Sequence, residues 1–189
     1  SAVFEQIARA TPDAIALTDG QQVLSYAQLE ESASRFATYL AEQGVGMETP
    51  VGLFLQRSVE AVIAMLGILK AGGIAIATNP LYSKRELEHQ LSDCGAETVF
   101  VMSRYYNLLK EVQAGGHTNV KRVIVTNVKD YFPAKLRILF TLLKEKKEGD
   151  RVDLAAGDQT ISVIAITGAG GKSFASGSDL SEVIDRDLK

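Results

Sequence analysis

The sequence predicts an α/β protein: a three-layer sandwich in which a mainly parallel sheet of about five core strands carries helices on both faces. Short apolar segments alternate along the chain with amphipathic segments of helical period, which is the order of β-α-β units. The short segments are apolar throughout, as expected of strands that are buried on both faces. Because capped helices rather than tight hairpins join them, neighbouring strands should run parallel.

The composition is that of a folded domain without a strongly charged surface. Of the 189 residues 46% are apolar and 23% charged, and the net charge is −3, so no nucleic-acid partner is expected. Cys94 is the only cysteine, and His89 and His117 lie far from further ligands, so neither an intrachain disulfide nor a metal site is expected. No apolar run reaches the roughly 18 residues of a membrane span, and the N-terminus lacks a signal-peptide pattern. We therefore expect a cytoplasmic protein without a membrane span; the sequence indicates no oligomeric state.

The first predicted elements are a hairpin and a capped helix. The strand-like stretches AIALTD and QQVLSY flank Gly20 and predict an N-terminal hairpin or an addition to a sheet edge. Ser25 and Gln28 then form a capping box for an amphipathic helix that ends at Gly44.

Three further helices alternate with the predicted core strands. The second helix begins after Ser58 and ends at Gly72, the third begins at a capping box on Ser83 and ends at Gly95, and the fourth covers 105–116. Such an arrangement is typical of Rossmann-like or flavodoxin-like sheets with right-handed crossovers. Five apolar runs are the predicted core strands: Val51–Leu55, Ile74–Thr78, Thr98–Met102, Arg122–Thr126 and Ser162–Thr167.

The carboxyl ends of these strands are where a ligand is expected. Clefts in open parallel sheets lie outside the carboxyl ends of the strands, at the point where the strand order reverses. The residues that follow the predicted strands, and should share this edge, are Asn79, Ser103, Asn127 and 168–171.

A basic amphipathic segment precedes the fifth predicted strand. Pro133–Gly149 is predicted as a helix with an apolar stripe and several lysines in its last turn. One interpretation is a helix that lies on a membrane surface or binds a partner. The other is a helix packed on the sheet, with the lysines complementing the negative end of its dipole.

The Gly-rich loop ITGAGGKSFASGSDL after the fifth predicted strand is the candidate binding site. Backbone amides and one lysine can hold a phosphate or sulfate. The pattern G-x-x-x-x-G-K-[ST] would need a glycine where Ile166 stands, whereas the shortened G-x-x-G-K-S resembles the loop of Mur-type ligases. The alternative is a structural turn with a solvated lysine. The phosphate-binding candidates are Gly168, Gly170, Gly171, Lys172 and Ser173, and no catalytic residue is predicted.

The first 158 residues resemble one enzyme family. LSYAQLEE and LKAGGIAIATNP, after PDAIALTDGQQ, resemble the opening of AMP-forming adenylating enzymes, which are acyl-CoA synthetases and the adenylation domains of nonribosomal peptide synthetases. The likeness is to the peptide-synthetase branch up to about Asn79, and to long-chain fatty acyl-CoA synthetases from NPLYSKRELEHQLSDCGA onward. The resemblance implies an α/β scaffold layer, activation of a carboxylate as an acyl-adenylate, and ATP, Mg²⁺ and CoA as cofactors.

A second resemblance begins near Val163. Where the adenylating enzymes have the phosphate loop TSGTTGxPKG, this chain has a different amino-acid sequence. The sequence to Lys189 contains none of the family's later catalytic motifs. VIAITGAGGKSFASGSDLSE instead resembles the enoyl-CoA hydratase, or crotonase, segment TGAGxxFxAGADLxE. That resemblance implies that the backbone N–H of Ser178, which follows Gly177, is an oxyanion-hole donor.

The family that the sequence resembles changes along the chain, and this change leads to our functional hypothesis. The two resemblances join near 157–160, and the first changes branch near Asn79. We interpret the chain as a designed or chimeric single domain without catalytic activity of its own, adenylating-enzyme-like over 1–158 and crotonase-like over 159–189. Two alternatives stay open: a truncated AMP-forming acyl-CoA synthetase, and a module that binds a small anion or the phosphates of a nucleotide or CoA.

Overall fold

A computed structural model describes residues 2–19, 22–126 and 161–163. The helices are α1 (Ala2–Ala10), α2 (Tyr26–Glu42), α3 (Val59–Lys70), α4 (Lys84–Cys94) and α5 (Tyr106–Ala114), with a short 3₁₀ helix at Ser103–Tyr105. The strands are β1 (Ile15–Asp19), β2 (Gln22–Ser25), β3 (Pro50–Phe54), β4 (Ile74–Ala77), β5 (Thr98–Met102), β6 (Arg122–Thr126) and β7 (Ile161–Val163).

The five-stranded sheet has the order β4-β3-β5-β6-β7, and all of its neighbouring strands are parallel. The predicted fold class is therefore confirmed. From β3 the chain moves outward to β4 and then returns past β3 to β5, so the strand order reverses between β3 and β5. The predicted bounds of β5 and β6 are correct, β3 begins and ends one residue early, and β4 ends one residue early. The predicted fifth strand is described only as far as Val163.

Alternation of the strand side chains divides the core into two layers. Val51 and Leu53 of β3 pack with buried residues of α2 and α3, whereas Phe54 packs with buried residues of α4 and α5. The next strand repeats this division, because Phe100 belongs to the first layer and Val99 to the second. The helices thus lie on both faces of the sheet, as the continuous apolar strands predict.

Side-chain caps fix where the helices begin. The Ser25 N–H donates to Gln28 Oε1 at 2.9 Å, and the Gln28 N–H donates to Ser25 Oγ at 3.3 Å. Ser83 and Glu86 form the second predicted capping box, and helix α4 ends at Gly95 in the left-handed conformation with φ 65°. These local signals were sufficient for the prediction because each one satisfies backbone groups that a helix end leaves free.

The N-terminal elements were predicted in part. β1 and β2 form the predicted antiparallel hairpin, which is a separate two-stranded sheet. Helix α1 was not predicted. The predicted helix 133–149 lies outside the described residues, and the division of the chain at 158 stays a prediction. None of the described helices is both long and apolar enough to cross a membrane.

Lys70 connects the three N-terminal helices α1, α2 and α3. Its Nζ lies 2.9 Å from Glu5 Oε1 of α1 and 2.7 Å from Glu30 Oε1 of α2. The side chain of Lys70 is only 12% exposed and those of its partners 27%. Burial acts to lower the pKa of Lys70, but the hydrogen bonds and negative charges of Glu30 and Glu5 together raise it above its ordinary value. The network therefore holds α1 against the α2–α3 pair through a charged lysine.

We predict that Lys70→Met lowers the free energy of unfolding by about 1–2 kcal/mol, between the values of an exposed and of a fully buried ion pair. Because folding raises the pKa of Lys70, the stabilisation is complete below the ordinary lysine pKa and disappears as the pH rises through the higher pKa of the folded protein. Urea unfolding of both proteins at neutral and at increasing alkaline pH measures this difference. Lys121→Met is the control, since its 2.6 Å pair with Glu97 is 71% and 56% exposed. Equal losses in the two variants would contradict the proposed role of Lys70.

Candidate functional site

The carboxyl edge of the sheet is the candidate functional site. Asn79 comes shortly after β4 and Ser103 directly after β5, so the structure places both at this edge, where the sequence predicted them. The Asn79 side chain is used in the local turn, because its Oδ1 accepts a hydrogen bond from the Leu81 N–H at 3.0 Å. Ser103 is 1% exposed and begins the short 3₁₀ helix that leads into α5. The predicted edge residues Asn127 and 168–171 lie outside the described residues.

A side-chain bridge spans the point where the strand order reverses. Gln56 follows β3, and its Nε2 donates a hydrogen bond to the Tyr105 hydroxyl at 2.7 Å. The Tyr105 ring stacks on the Phe54 ring with a centroid distance of 4.8 Å. The bond from Gln56 uses only an acceptor position of Tyr105, so the phenolic proton remains able to donate to another group. The edge between β3 and β5 therefore presents an aromatic ring with a polar tip.

Buried hydroxyl groups lie near the carboxyl ends of three strands, β4, β5 and β6. Thr78 is 5% exposed, and Ser103 and Thr126 are each 1% exposed. The Thr78 Oγ1 has no hydrogen-bond partner among the described residues. Arg57, which is exposed, and Arg104, which is half-buried, follow β3 and β5 and add two positive charges to the same edge. A polar edge with guanidinium groups suits an anionic or polar ligand.

The described residues contain only part of the predicted site. Within them no group of three or more His, Cys, Asp or Glu side chains could hold a metal ion. The phosphate-loop candidates Gly168, Gly170, Gly171, Lys172 and Ser173, and the Ser178 amide, all lie outside the described residues and stay predictions. Sequence reasoning did not find the Gln56–Tyr105 bridge, because its members are 49 positions apart.

Comparison with known proteins decides the family. Residues 4–164 match the AMP-binding enzyme family. The chain is a member of this family. The match covers both halves of the first resemblance and runs past the predicted junction at 157–160.

Curated relatives in this family include several acid–CoA ligases. The long-chain-fatty-acid–CoA ligase of Yersinia pestis is 37% identical over 134 residues, which are 70% of this chain and 23% of that protein. A medium/long-chain-fatty-acid–CoA/3-oxocholest-4-en-26-oate–CoA ligase of Mycobacterium marinum is 42% identical over 65% of this chain and 22% of its own length. A linear gramicidin synthase of Brevibacillus parabrevis is 39% identical over 58% of this chain and 2% of its own length. The chain thus spans about a quarter of the ligases that it matches.

Solved structures support the same fold. The anthranilate CoA ligase AuaEII in complex with anthranoyl-AMP has a TM-score of 0.63 at 22% identity, covering 86% of this chain and 30% of that one. The benzoate CoA ligase of Burkholderia xenovorans LB400 has a TM-score of 0.61 at 24% identity, covering 66% of this chain and 25% of that one. Identities this low indicate a common fold and nothing finer.

These comparisons overturn our main functional hypothesis. The interpretation as a designed or chimeric scaffold without catalytic activity is wrong, because one family match runs through residues 4–164 and the relatives are ligases. The predicted change of branch near Asn79 lies inside this one family match. The matches also give no support to the enoyl-CoA hydratase resemblance, on which the Ser178 amide rests. The alternative, a part of an AMP-forming ligase, fits the relatives better.

Proposed function

We propose that this chain is the N-terminal portion of an AMP-forming acid–CoA ligase and takes part in ATP-dependent activation of a carboxylate. In the proposed reaction a carboxylate oxygen attacks the α-phosphorus of ATP, pyrophosphate leaves, and an acyl-adenylate forms. The thiol sulfur of CoA then attacks the acyl carbonyl carbon, AMP leaves, and the thiol proton passes to solvent. The observation that carries the proposal is the unbroken family match over 4–164.

The proposed role of this portion is to build one wall of the site. The parallel sheet is a rigid support, and its carboxyl edge carries the Gln56–Tyr105 bridge at the reversal of strand order. Edges of this kind hold nucleotide-like ligands in open α/β sheets. We further propose the loop Gly168–Ser173 as the segment that contacts phosphate oxygens, with Lys172 supplying the positive charge.

A fatty acid is the first substrate to test, because the ligases of Yersinia pestis and Mycobacterium marinum are named for long-chain fatty acids. The test uses a hybrid ligase: the Yersinia pestis enzyme with its matched 134-residue segment replaced by that of this chain. Pyrophosphate exchange into ATP is measured with long-chain fatty acids, benzoate, anthranilate and a panel of amino acids. We expect exchange that depends on the fatty acid.

Two controls set the lower and the upper limit of the exchange assay. The same ligase without the matched segment should show no exchange, and the parent enzyme sets the upper limit. Exchange that depends on amino acids alone would favour the function of the Brevibacillus parabrevis relative. Titration calorimetry of the isolated chain and of Lys172→Ala with ATP and CoA tests the loop separately. Equal binding by both proteins would remove Lys172 from the proposal.

A further inference from the structure

The Gln56–Tyr105 bridge fixes the direction in which the Tyr105 hydroxyl can donate. The Gln56 Nε2 donates to the phenolic oxygen at 2.7 Å. Because an amide N–H cannot accept a hydrogen bond, the Tyr105 proton points away from this nitrogen. Among the described residues, Gln56 is the only hydrogen-bond partner of the Tyr105 side chain. The phenol is therefore a preorganised donor for a further group.

The ring that carries this hydroxyl has a fixed place at the ligand edge of the sheet. It stacks on Phe54, the last residue of β3, with a centroid distance of 4.8 Å and an interplanar angle of 27°. The half-buried Tyr105 side chain also packs against both layers of the core. Because β3 and β5 flank the reversal of strand order, the hydroxyl lies where open parallel sheets bind their ligands.

Arg57 brings an uncompensated positive charge to the same corner of the sheet. It follows Gln56 directly, is exposed, and forms no hydrogen bond or ion pair with another described residue. Glu60, three residues later, does not pair with it: this side chain is 4% exposed and lies in the first turn of α3, where the helix dipole stabilises a carboxylate. A fixed hydroxyl donor and a free guanidinium at one corner suit an oxyanion, and phosphate oxygens accept from both.

We propose that Tyr105 donates a hydrogen bond to a phosphate oxygen of a nucleotide substrate and that Arg57 balances the phosphate charge. Gln56 is the positioning residue that turns the Tyr105 proton toward the phosphate. The inference rests on the proposed function, which supplies two nucleotides, ATP and CoA. The fatty acid fits this corner less well, because an aliphatic chain needs apolar surface, whereas Gln56 and Arg57 are exposed polar side chains. The contact is separate from the one proposed for Gly168–Ser173.

Thermal unfolding of the isolated chain tests the competing acceptor for the Tyr105 proton, a residue of this chain outside the described ranges. Tyr105→Phe keeps the stacked ring but removes the hydroxyl, and Gln56→Met removes the bridge from its other side. If the proton awaits a ligand, both variants lose only the bridge, and their melting temperatures should agree within about 2 °C. A larger fall for Tyr105→Phe would show that the proton is already bonded within the chain, and the proposal would be wrong.

Nucleotide binding by the isolated chain tests the corner without catalysis. ATP and CoA are added separately, and the NMR signals of the Arg57 and Tyr105 amides are followed. At least one nucleotide should shift both signals saturably, and the one that does so identifies the source of the phosphate. Tyr105→Phe should weaken this binding about tenfold, as expected for the loss of a hydrogen bond to a charged acceptor. The absence of saturable shifts, or equal binding by Tyr105→Phe, would overturn the proposal.

Gln56→Glu tests the positioning role, because it reverses the direction of the bridge. A carboxylate accepts from the Tyr105 hydroxyl and so consumes the proton, while the ring keeps its stacking. Since the new charge also repels phosphate, the substitution is made in two backgrounds. It should weaken nucleotide binding about tenfold in the wild-type chain and by a clearly smaller factor in Tyr105→Phe, where no proton can be consumed. Equal factors would mean that charge alone acts and that Gln56 positions nothing.

The hybrid ligase separates this inference from the proposed function. Tyr105→Phe should raise the KM for ATP in pyrophosphate exchange, or for CoA in thioester formation, about tenfold and leave that for the fatty acid unchanged. Met47→Glu, at an 83% exposed residue before β3 and thus at the opposite edge of the sheet, should change none of these values. An active hybrid whose nucleotide KM values are unchanged by Tyr105→Phe would overturn the phosphate contact and leave the proposed function intact. Tyr105-dependent nucleotide binding together with an inactive hybrid would do the reverse.

Discussion

Phe100→Ala should lower the free energy of unfolding by about 3–5 kcal/mol, the range for large-to-small changes at fully buried aromatic residues. Phe100 is 0% exposed and lies on β5, between β3 and β6. Its ring is 5.2 Å from that of Phe36 on α2, so the truncation removes a contact between sheet and helix as well as buried area. The resulting space is lined by a sheet and two helices, which cannot easily close around it.

Urea unfolding followed by circular dichroism measures the effect of Phe100→Ala. The matched control is Leu81→Ala, which removes a large apolar side chain that is 89% exposed and should change the free energy of unfolding by less than about 0.5 kcal/mol. A loss of less than about 1 kcal/mol for Phe100→Ala would mean that β5 is not central to the core.

Gly67→Val should be almost as damaging, at about 2–3 kcal/mol, although valine has a higher helix propensity than glycine. Gly67 is buried in α3 where this helix approaches α2. A Cβ at this position would lie 2.7 Å from Phe36 Cδ1 and 3.1 Å from the Ala33 carbonyl oxygen. The second neighbour is backbone, so a side-chain rotation cannot relieve both contacts, and the two helices must move apart.

Gly46→Val is the control for Gly67→Val, because a Cβ at Gly46 meets nothing within 4 Å. Thermal unfolding should show a clear fall in melting temperature for Gly67→Val, of about 4–12 °C for a domain of this size, and a much smaller change for Gly46→Val. If the two variants have the same melting temperature, the close approach of α2 and α3 is not essential for stability.

The parts of the fold that were predictable are those with local signals. The capping boxes at Ser25 and Ser83 depend on residues three positions apart, and their hydrogen bonds are present. The bounds of β5 were predicted correctly because four of the five residues of TVFVM are apolar. The structure shows that all five are buried. Strand order was not predictable, since it depends on contacts between segments that the sequence does not mark.

The features that sequence reasoning missed are long-range. Lys70 contacts Glu5 across 65 positions, and no periodicity relates them. The Gln56–Tyr105 hydrogen bond likewise joins residues that are far apart in the sequence, 49 positions from each other. The functional hypothesis was wrong because the changes of resemblance near Asn79 and near 157–160 were interpreted as junctions, although one family match covers residues 4–164.

The most direct measurement of the central claim, that this chain is a working part of an AMP-forming ligase, is the rate of fatty-acid-dependent pyrophosphate exchange by the hybrid ligase relative to its parent. Side chains that build the sheet edge should be able to replace those of a relative that is 37% identical. We predict a rate within about a hundredfold of the parent, a loss of less than about 3 kcal/mol in transition-state stabilisation. A folded hybrid with no more exchange than the ligase that lacks the segment would contradict the claim.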